Sequence, residues 1–307
     1  MLKFILKRMV MAIFTIWAII TIVFFMIRLK PGDPMAAGSK QLKGQALENF
    51  KKYYGLDKPL IVQYGKYLKN LFFHFDFGYS MVDSGKNVIK TIGKYAPVSA
   101  SYGSIALVIQ LMVGIPLGIL AAFKRDTWID KLLSVMILIG ICLPFFVFAS
   151  LVQYFFCVIL KWFKVFSWGT FGGYFMPALA LSFGGIATYC KYTRNSTLSV
   201  IGEDYIVTAK AKGVTKMALT FKHVLRNSLI PIITMVPPAV LGIFVGGLVT
   251  ERIFSIPGLG DELTNSINSN DYPMIMGMTI VTSMAFVISL VVVDILYSVV
   301  DPRVKLS

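Results

Sequence analysis

Apolar residues run along this chain in long blocks divided by short polar breaks. Blocks near or above about 18 residues signal helices that cross a membrane. The clearest are residues 9–27, 99–123, 132–160, 229–250 and 275–300, with a weaker one at 175–189, "FMPALALSFGGIATY". The weak block is short and rich in small residues, so hydropathy alone ranks it as marginal or re-entrant. Counting it gives six predicted spans and places both termini on the same side.

Charge supports that count. With the N-terminus, the 123–132 turn, the 190–228 segment and the C-terminus on the cytoplasmic side, fifteen Lys/Arg residues fall there, against three in the short opposite loops 161–174 and 251–274. Basic residues concentrate in short cytoplasmic loops. Omitting the fourth span would invert the last third of the chain and spoil the asymmetry. The outer loop, residues 29–98 in the predicted division, holds most of the remaining basic residues. Loops of that length cross largely regardless of charge.

Composition agrees with a membrane chain. The 307 residues are 56 % hydrophobic and 15 % charged with mean hydropathy +0.73, whereas soluble domains carry about 25 % charged residues. The net charge of +15 is mostly the flanks of spanning helices plus one basic loop. No arginine-rich tract is interleaved with base-stacking aromatics, so no nucleic-acid partner is expected. The apolar core of the first block is longer than that of a signal peptide, so residues 1–28 read as a retained first span. Cys142, Cys157 and Cys190 read as small apolar fillers.

Five local patterns refine the picture. After Pro59, Leu60, Tyr64, Tyr67, Leu68, Leu71 and Phe72 follow helical spacing, predicting an amphipathic helix that rests on the membrane or bundle, or docks an external partner. Pro231, Pro237 and Pro238 fall in the fifth span, which is expected to kink; a broken helix lines a transport pathway or is purely structural. "GIPLG" (114–118) and "GIFVG" (242–246) match a small-residue pattern for close helix approach. Asp294, near the inner end of the last span, reads as an anchor rather than a proton relay. Finally, the polar stretch "EDYIVTAKAKGVTKMALTFKHVLRNSLIP" (203–231) predicts a short helix opened by Glu203 and Asp204, a corner at Gly213, and a second helix capped by Thr215.

Several chemistries are missing. There is no GxxxxGK[ST] phosphate loop, and His74 and His223 lie far apart, which removes HExxH and paired-histidine metal sites. A membrane enzyme is a poor reading; the energy for any transport comes from a gradient or from another subunit.

"DYIVTAKAKG" with "HVLRNSLIP" resembles the cytoplasmic signature loop of permease subunits in binding-protein-dependent ABC importers, in the dipeptide/oligopeptide/nickel branch. "PGDP" (31–34), "YGLDKPLIVQYGKYLKNLFFHFDFGYS" (54–80), "ERIFSIPGLGDEL" (251–263), "NDYPMIMG" (270–277) and "DPRV" (301–304) are similar to that branch too and stand in its order. The arrangement looks most like the first of the two permeases of such systems. The general signature begins "EAA", where this chain has Val207, Thr208 and Ala209, and its glycine-to-proline spacing is shorter than 213 to 231; both departures resemble the peptide branch.

The resemblance implies an all-α, type I importer permease with a five-helix core over 99–300 and a tail at 301–307. It implies a second homologous permease, two cytoplasmic ATPases that bind ATP and Mg, an extracytoplasmic substrate-binding protein, and a bacterial cytoplasmic membrane around the assembly. No cofactor is implied for this chain. The coupling segment would comprise Glu203, Asp204, Tyr205, Thr208, Ala209, Ala211, Lys212 and Gly213, with His223, Arg226 and Asn227 on the return. A passage near Pro144, Pro231, Pro237 and Pro238 is expected, with no residue declaring itself a cargo ligand. The rival reading is a stand-alone secondary carrier or channel whose basic loop grips anionic lipid.

Overall fold

The computed structural model describes residues 2–29, 44–83, 85–215, 218–245 and 247–300. Among these, regular structure is helical apart from one antiparallel bridge between Tyr79 and Asn87. The elements used below are α1 (Leu2–Arg28), α2 (Gln45–Tyr54), α3 (Leu60–His74), α4 (Val88–Phe123), α5 (Trp128–Cys142), α6 (Phe145–Tyr154), α7 (Phe171–Ile201), α8 (Asp204–Ala211), α9 (Ile230–Val245), α10 (Leu248–Phe254), α11 (Leu259–Asn268) and α12 (Tyr272–Val300). The "PGDP" and "DPRV" motifs and the 301–307 tail lie outside the described residues.

Four helical stretches are long and apolar enough to cross a membrane: Leu6–Arg28, Val88–Phe123, Phe171–Ile201 and Tyr272–Ile295. Two expectations need amendment. The weak block at 175–189 lies inside the 31-residue α7, which also takes in residues 190–201 that hydropathy grouped with the polar loop. Its hydropathy is modest because it spends small residues on close packing rather than large ones on lipid. The block at 132–160 is not one straight helix. α5 and the helix Phe145–Ile159 meet at 102°, because Leu143 precedes Pro144 and takes an extended conformation (ψ 121°) that a residue before proline favours. In the fifth predicted span, α9 carries Pro237 and Pro238 inside one helix. It gives way to α10 at Gly247, which is extended (φ −98°, ψ 93°).

The bundle is organised on the contact between α4 and α7. A Cβ on Gly114 would sit 2.9 Å from the Ile186 carbonyl oxygen, and one on Gly118 would sit 2.6 Å from that of Cys190. "GIPLG" is thus a packing surface that lets two backbones touch. At the same end, Arg194 of α7 donates two hydrogen bonds to the buried Asp130 of α5, Nε to Oδ1 at 2.7 Å and Nη2 to Oδ2 at 2.8 Å. The planar fork matches both carboxylate oxygens, and removing one partner of such a pair costs about 3–5 kcal/mol.

α1 packs on α12, where Arg8 Nη1 lies 2.9 Å from Asp294 Oδ2. Asp294, expected as an anchor, thus has a cationic partner on the first helix. The predicted helix after Pro59 forms as α3 and buries Gln63, Tyr67 and Leu71. Its Tyr64 and Tyr67 rings pack on Phe24 of α1, while Leu60 and Phe72 of the predicted stripe are exposed. The segment following α3 is pinned to the rest of the bundle. Asp271, just before α12, accepts hydrogen bonds from the Ser80 hydroxyl and the Met81 amide, and Lys86 pairs with Glu262 of α11. Burial pushes the Asp271 carboxyl above the usual range against those donors.

Replacing Gly118 by Val should push α4 off α7. The obstacle is backbone, which cannot rotate away, so the cost should reach about 3 kcal/mol, the upper end for overpacking. A lower unfolding temperature of the purified protein in detergent checks this.

Candidate functional site

The polar stretch folds into a small unit with its own core. Glu203 follows the end of α7 at Gly202, and α8 starts at Asp204, its acids at the positive end of the helix dipole. Ile206 and Ala209, three residues apart, turn inward on Leu219 and Val224, with Val200, Ile201 and Val214 around them. Tyr205, Thr208, Ala211, Lys212 and Gly213 remain exposed. One face of α8 is therefore used up inside the unit, and the other is left free.

The corner forms as expected. Gly213 has φ +78°, and the Val214 amide donates to the Ala209 carbonyl at 3.3 Å, the six-to-one bond of a Schellman cap. The Thr215 hydroxyl accepts from the Ala218 amide at 3.4 Å, so the predicted cap is present. Lys216 and Met217 lie outside the described residues. The second helix is not an ordinary α-helix: Leu219–Leu225 is π-helical, a geometry that recurs at functional positions.

Besides that core, the returning segment of the unit meets α8 through a side-chain bond. Asn227 Nδ2 donates to the Tyr205 hydroxyl at 2.8 Å and to the His223 carbonyl at 3.2 Å. Tyr205, Lys222, His223, Arg226 and Asn227 line an open cleft of about 580 Å³ with Ile230 and Ile233. Four predicted site residues thus meet in one place, Tyr205 from the first helix and His223, Arg226 and Asn227 from the return. Ala209 differs: it is 9 % exposed and packs inward, so its small size serves the core of the unit.

A second site lies deeper. A cavity of about 310 Å³ between α4, α7 and α9 is lined by Ser99, Tyr102, Gly103, Ala106, Leu107, Gln110, Leu181, Ala239, Ile243 and Gly247. No charged side chain lines it. Gln110 Nε2 donates to the Leu181 carbonyl at 3.2 Å, which orients the amide oxygen as its free acceptor. The four prolines proposed for a passage are absent from this lining. Pro144 opens α6, Pro231 sits in the first turn of α9, and Pro237 and Pro238 lie within α9, immediately before Ala239. Sequence reasoning passed over Ser99, Tyr102 and Gln110 because isolated polar residues in an apolar block carry no spacing signal.

An all-helical chain with several lipid-length helices, a two-faced polar unit at one end and an uncharged cavity between helices defines a multi-pass membrane permease component. The chain matches the family described as "Binding-protein-dependent transport system inner membrane component" over residues 114–306, and the corresponding N-terminal family over residues 1–102. It belongs to that family. It is 37 % identical over 306 residues to the dipeptide transport system permease protein DppB of Lactococcus lactis, covering all of both chains. It is 38 % identical to DppB of Bacillus subtilis, covering 100 % of this chain and 99 % of that one. Against the oligopeptide transport system permease protein OppB of Salmonella typhimurium it is 35 % identical, covering 99 % of this chain and 100 % of that one.

Nothing lies within 4 Å of a Cβ built on Gly213, so substitution there meets backbone strain rather than a clash. Gly213→Val should destabilise the corner by about 1–2 kcal/mol, a factor of about 5 to 30 in the ratio of formed to unformed corner, and lower transport by the assembled system. Gly213→Asn should keep most of it, since asparagine visits the left-handed region. Transport assays on the two variants at matched protein levels check the contrast.

Proposed function

We propose that this chain forms half of the passage of an ATP-driven importer of short peptides and that residues 203–227 couple it to an ATPase subunit. The dipeptide and oligopeptide relatives, matched end to end, support the cargo class. The observation that carries the coupling role is the division of α8 into an inward face, Ile206 and Ala209, and an exposed face bearing Tyr205 and Thr208, with Lys212 exposed just past its end. A helix held rigid on its own core and free on its other side suits insertion into a groove of a partner.

In this reading α5 and α6 together make one crossing and α9 another, which brings the count to six with both termini in the cytoplasm. The ion pair between Arg8 and Asp294 supports an even count, because it brings the first and last helices together at their terminal ends. Residues 29–98 form an outer segment facing a substrate-binding protein. A second, homologous permease completes the passage, and the cavity between α4, α7 and α9 belongs to it. Two cytoplasmic ATPases supply ATP and Mg chemistry, and this chain binds neither. The setting is a bacterial cytoplasmic membrane.

A cysteine placed at the exposed Lys212 tests the coupling role. In membranes holding the whole system, a short thiol crosslinker should join Lys212→Cys to an ATPase subunit. Uptake of peptide by the reconstituted single chain without ATP would instead establish a stand-alone carrier or channel and overturn the proposal.

A further inference from the structure

Glu251 opens the "ERIFSIPGLGDEL" stretch and is fully buried, at 0 % exposure. Its Oε1 accepts hydrogen bonds from the Ser99 hydroxyl at 2.6 Å and the Tyr102 hydroxyl at 2.9 Å. Its Oε2 accepts from the Asp261 amide at 2.8 Å, in the first turn of α11. No cation pairs with it among the described residues. Neutral donors and the positive end of α11 hold the charge instead.

The same atoms tie three backbone segments together. The Ser99 hydroxyl oxygen accepts from the Leu259 amide at 2.9 Å, and the Tyr102 oxygen accepts from the Gly247 amide at 3.1 Å. A Cβ on Gly258 would stand 2.3 Å from Glu251 Oε1, and one on Gly260 would stand 3.1 Å from Oε2. The elbow between α10 and α11 is thus folded closely around one carboxylate and bonded through it to α4. Ser99, Tyr102 and Gly247 are also the residues at one end of the uncharged cavity. That end faces the 44–87 side, because α11 packs there through Lys86 and through Leu259 beside Val88 and Phe77.

We propose that Glu251 is a positioning residue that holds this end of the cavity shut by stapling the α10–α11 elbow to α4. The inference rests on the reading of the cavity as part of the peptide passage. Water reaching the carboxylate replaces the bonds to Ser99 and Tyr102 with hydration, whereas a half-broken staple leaves a buried charge underbonded. The elbow therefore has two satisfied states, bonded and dry or parted and wet. Passage of cargo past Tyr102 requires the second.

The test uses the complete transporter in right-side-out and inside-out vesicles, with Cys142, Cys157 and Cys190 replaced by alanine and Ala106→Cys placed in the cavity wall. A membrane-impermeant thiol reagent reports access from each side. With Glu251 intact and no ATP, labelling from the outer side should be slow. In Glu251→Ala it should rise about tenfold or more, the factor that losing one charge-assisted hydrogen bond produces. Tyr102→Phe keeps the ring and removes the bonds to Glu251 and Gly247, so it should raise labelling too; it decides the matter if Glu251→Ala fails to assemble. Unchanged outer labelling in the assembled variants overturns the proposal. If labelling of Ala106→Cys leaves peptide uptake intact, the passage reading fails, while the labelling rates still report on the staple.

Discussion

Where Gly114 and Gly118 face α7, the backbones of two long helices come into direct contact, and that approach sets the position of everything else. α4 carries Ser99 and Tyr102 toward one end of the bundle; α7 carries Arg194 and leads into the 203–227 unit at the other. Between helices, lipid gives no hydrophobic drive, so contact rests on dispersion and on how near the backbones come. Glycine at these positions is a requirement of the approach.

Upon that contact the molecule places few, well-satisfied polar junctions. Asp130 with Arg194 ties α5 to α7 next to the polar unit. Arg8 with Asp294 ties the first helix to the last. Glu251 ties the elbow of α10 and α11 to α4. Away from water an unsatisfied polar group costs several kcal/mol, so each junction is either fully made or replaced by hydration. Such junctions favour rigid blocks over independently placed helices.

The polar unit follows the same economy. Ile206, Ala209, Leu219 and Val224 give it a core, the positive φ of Gly213 turns the chain, and Asn227 bridges back to Tyr205. The face left exposed on α8 is defined by what the core has already consumed.

Much of this was legible in the residues themselves. The lipid-length blocks, the helix after Pro59, the Gly213 corner, the Thr215 cap and the packing use of "GIPLG" all follow from local periodicity and backbone preference, which act over a few residues. Family membership was legible as well, since "DYIVTAKAKG" and the motifs around it are local strings. Only tertiary structure decided which way a helix faces and what its polar atoms meet. The inward turn of Ala209 onto Leu219 and Val224 depends on which segments the fold brings together. So does the pairing of Arg194 with Asp130, and so does the burial of Glu251 against Ser99 and Tyr102, some 150 residues earlier. A lone carboxylate in a sequence reads the same whether water or two hydroxyls surround it, because its partners come from other helices and leave no trace in its own spacing.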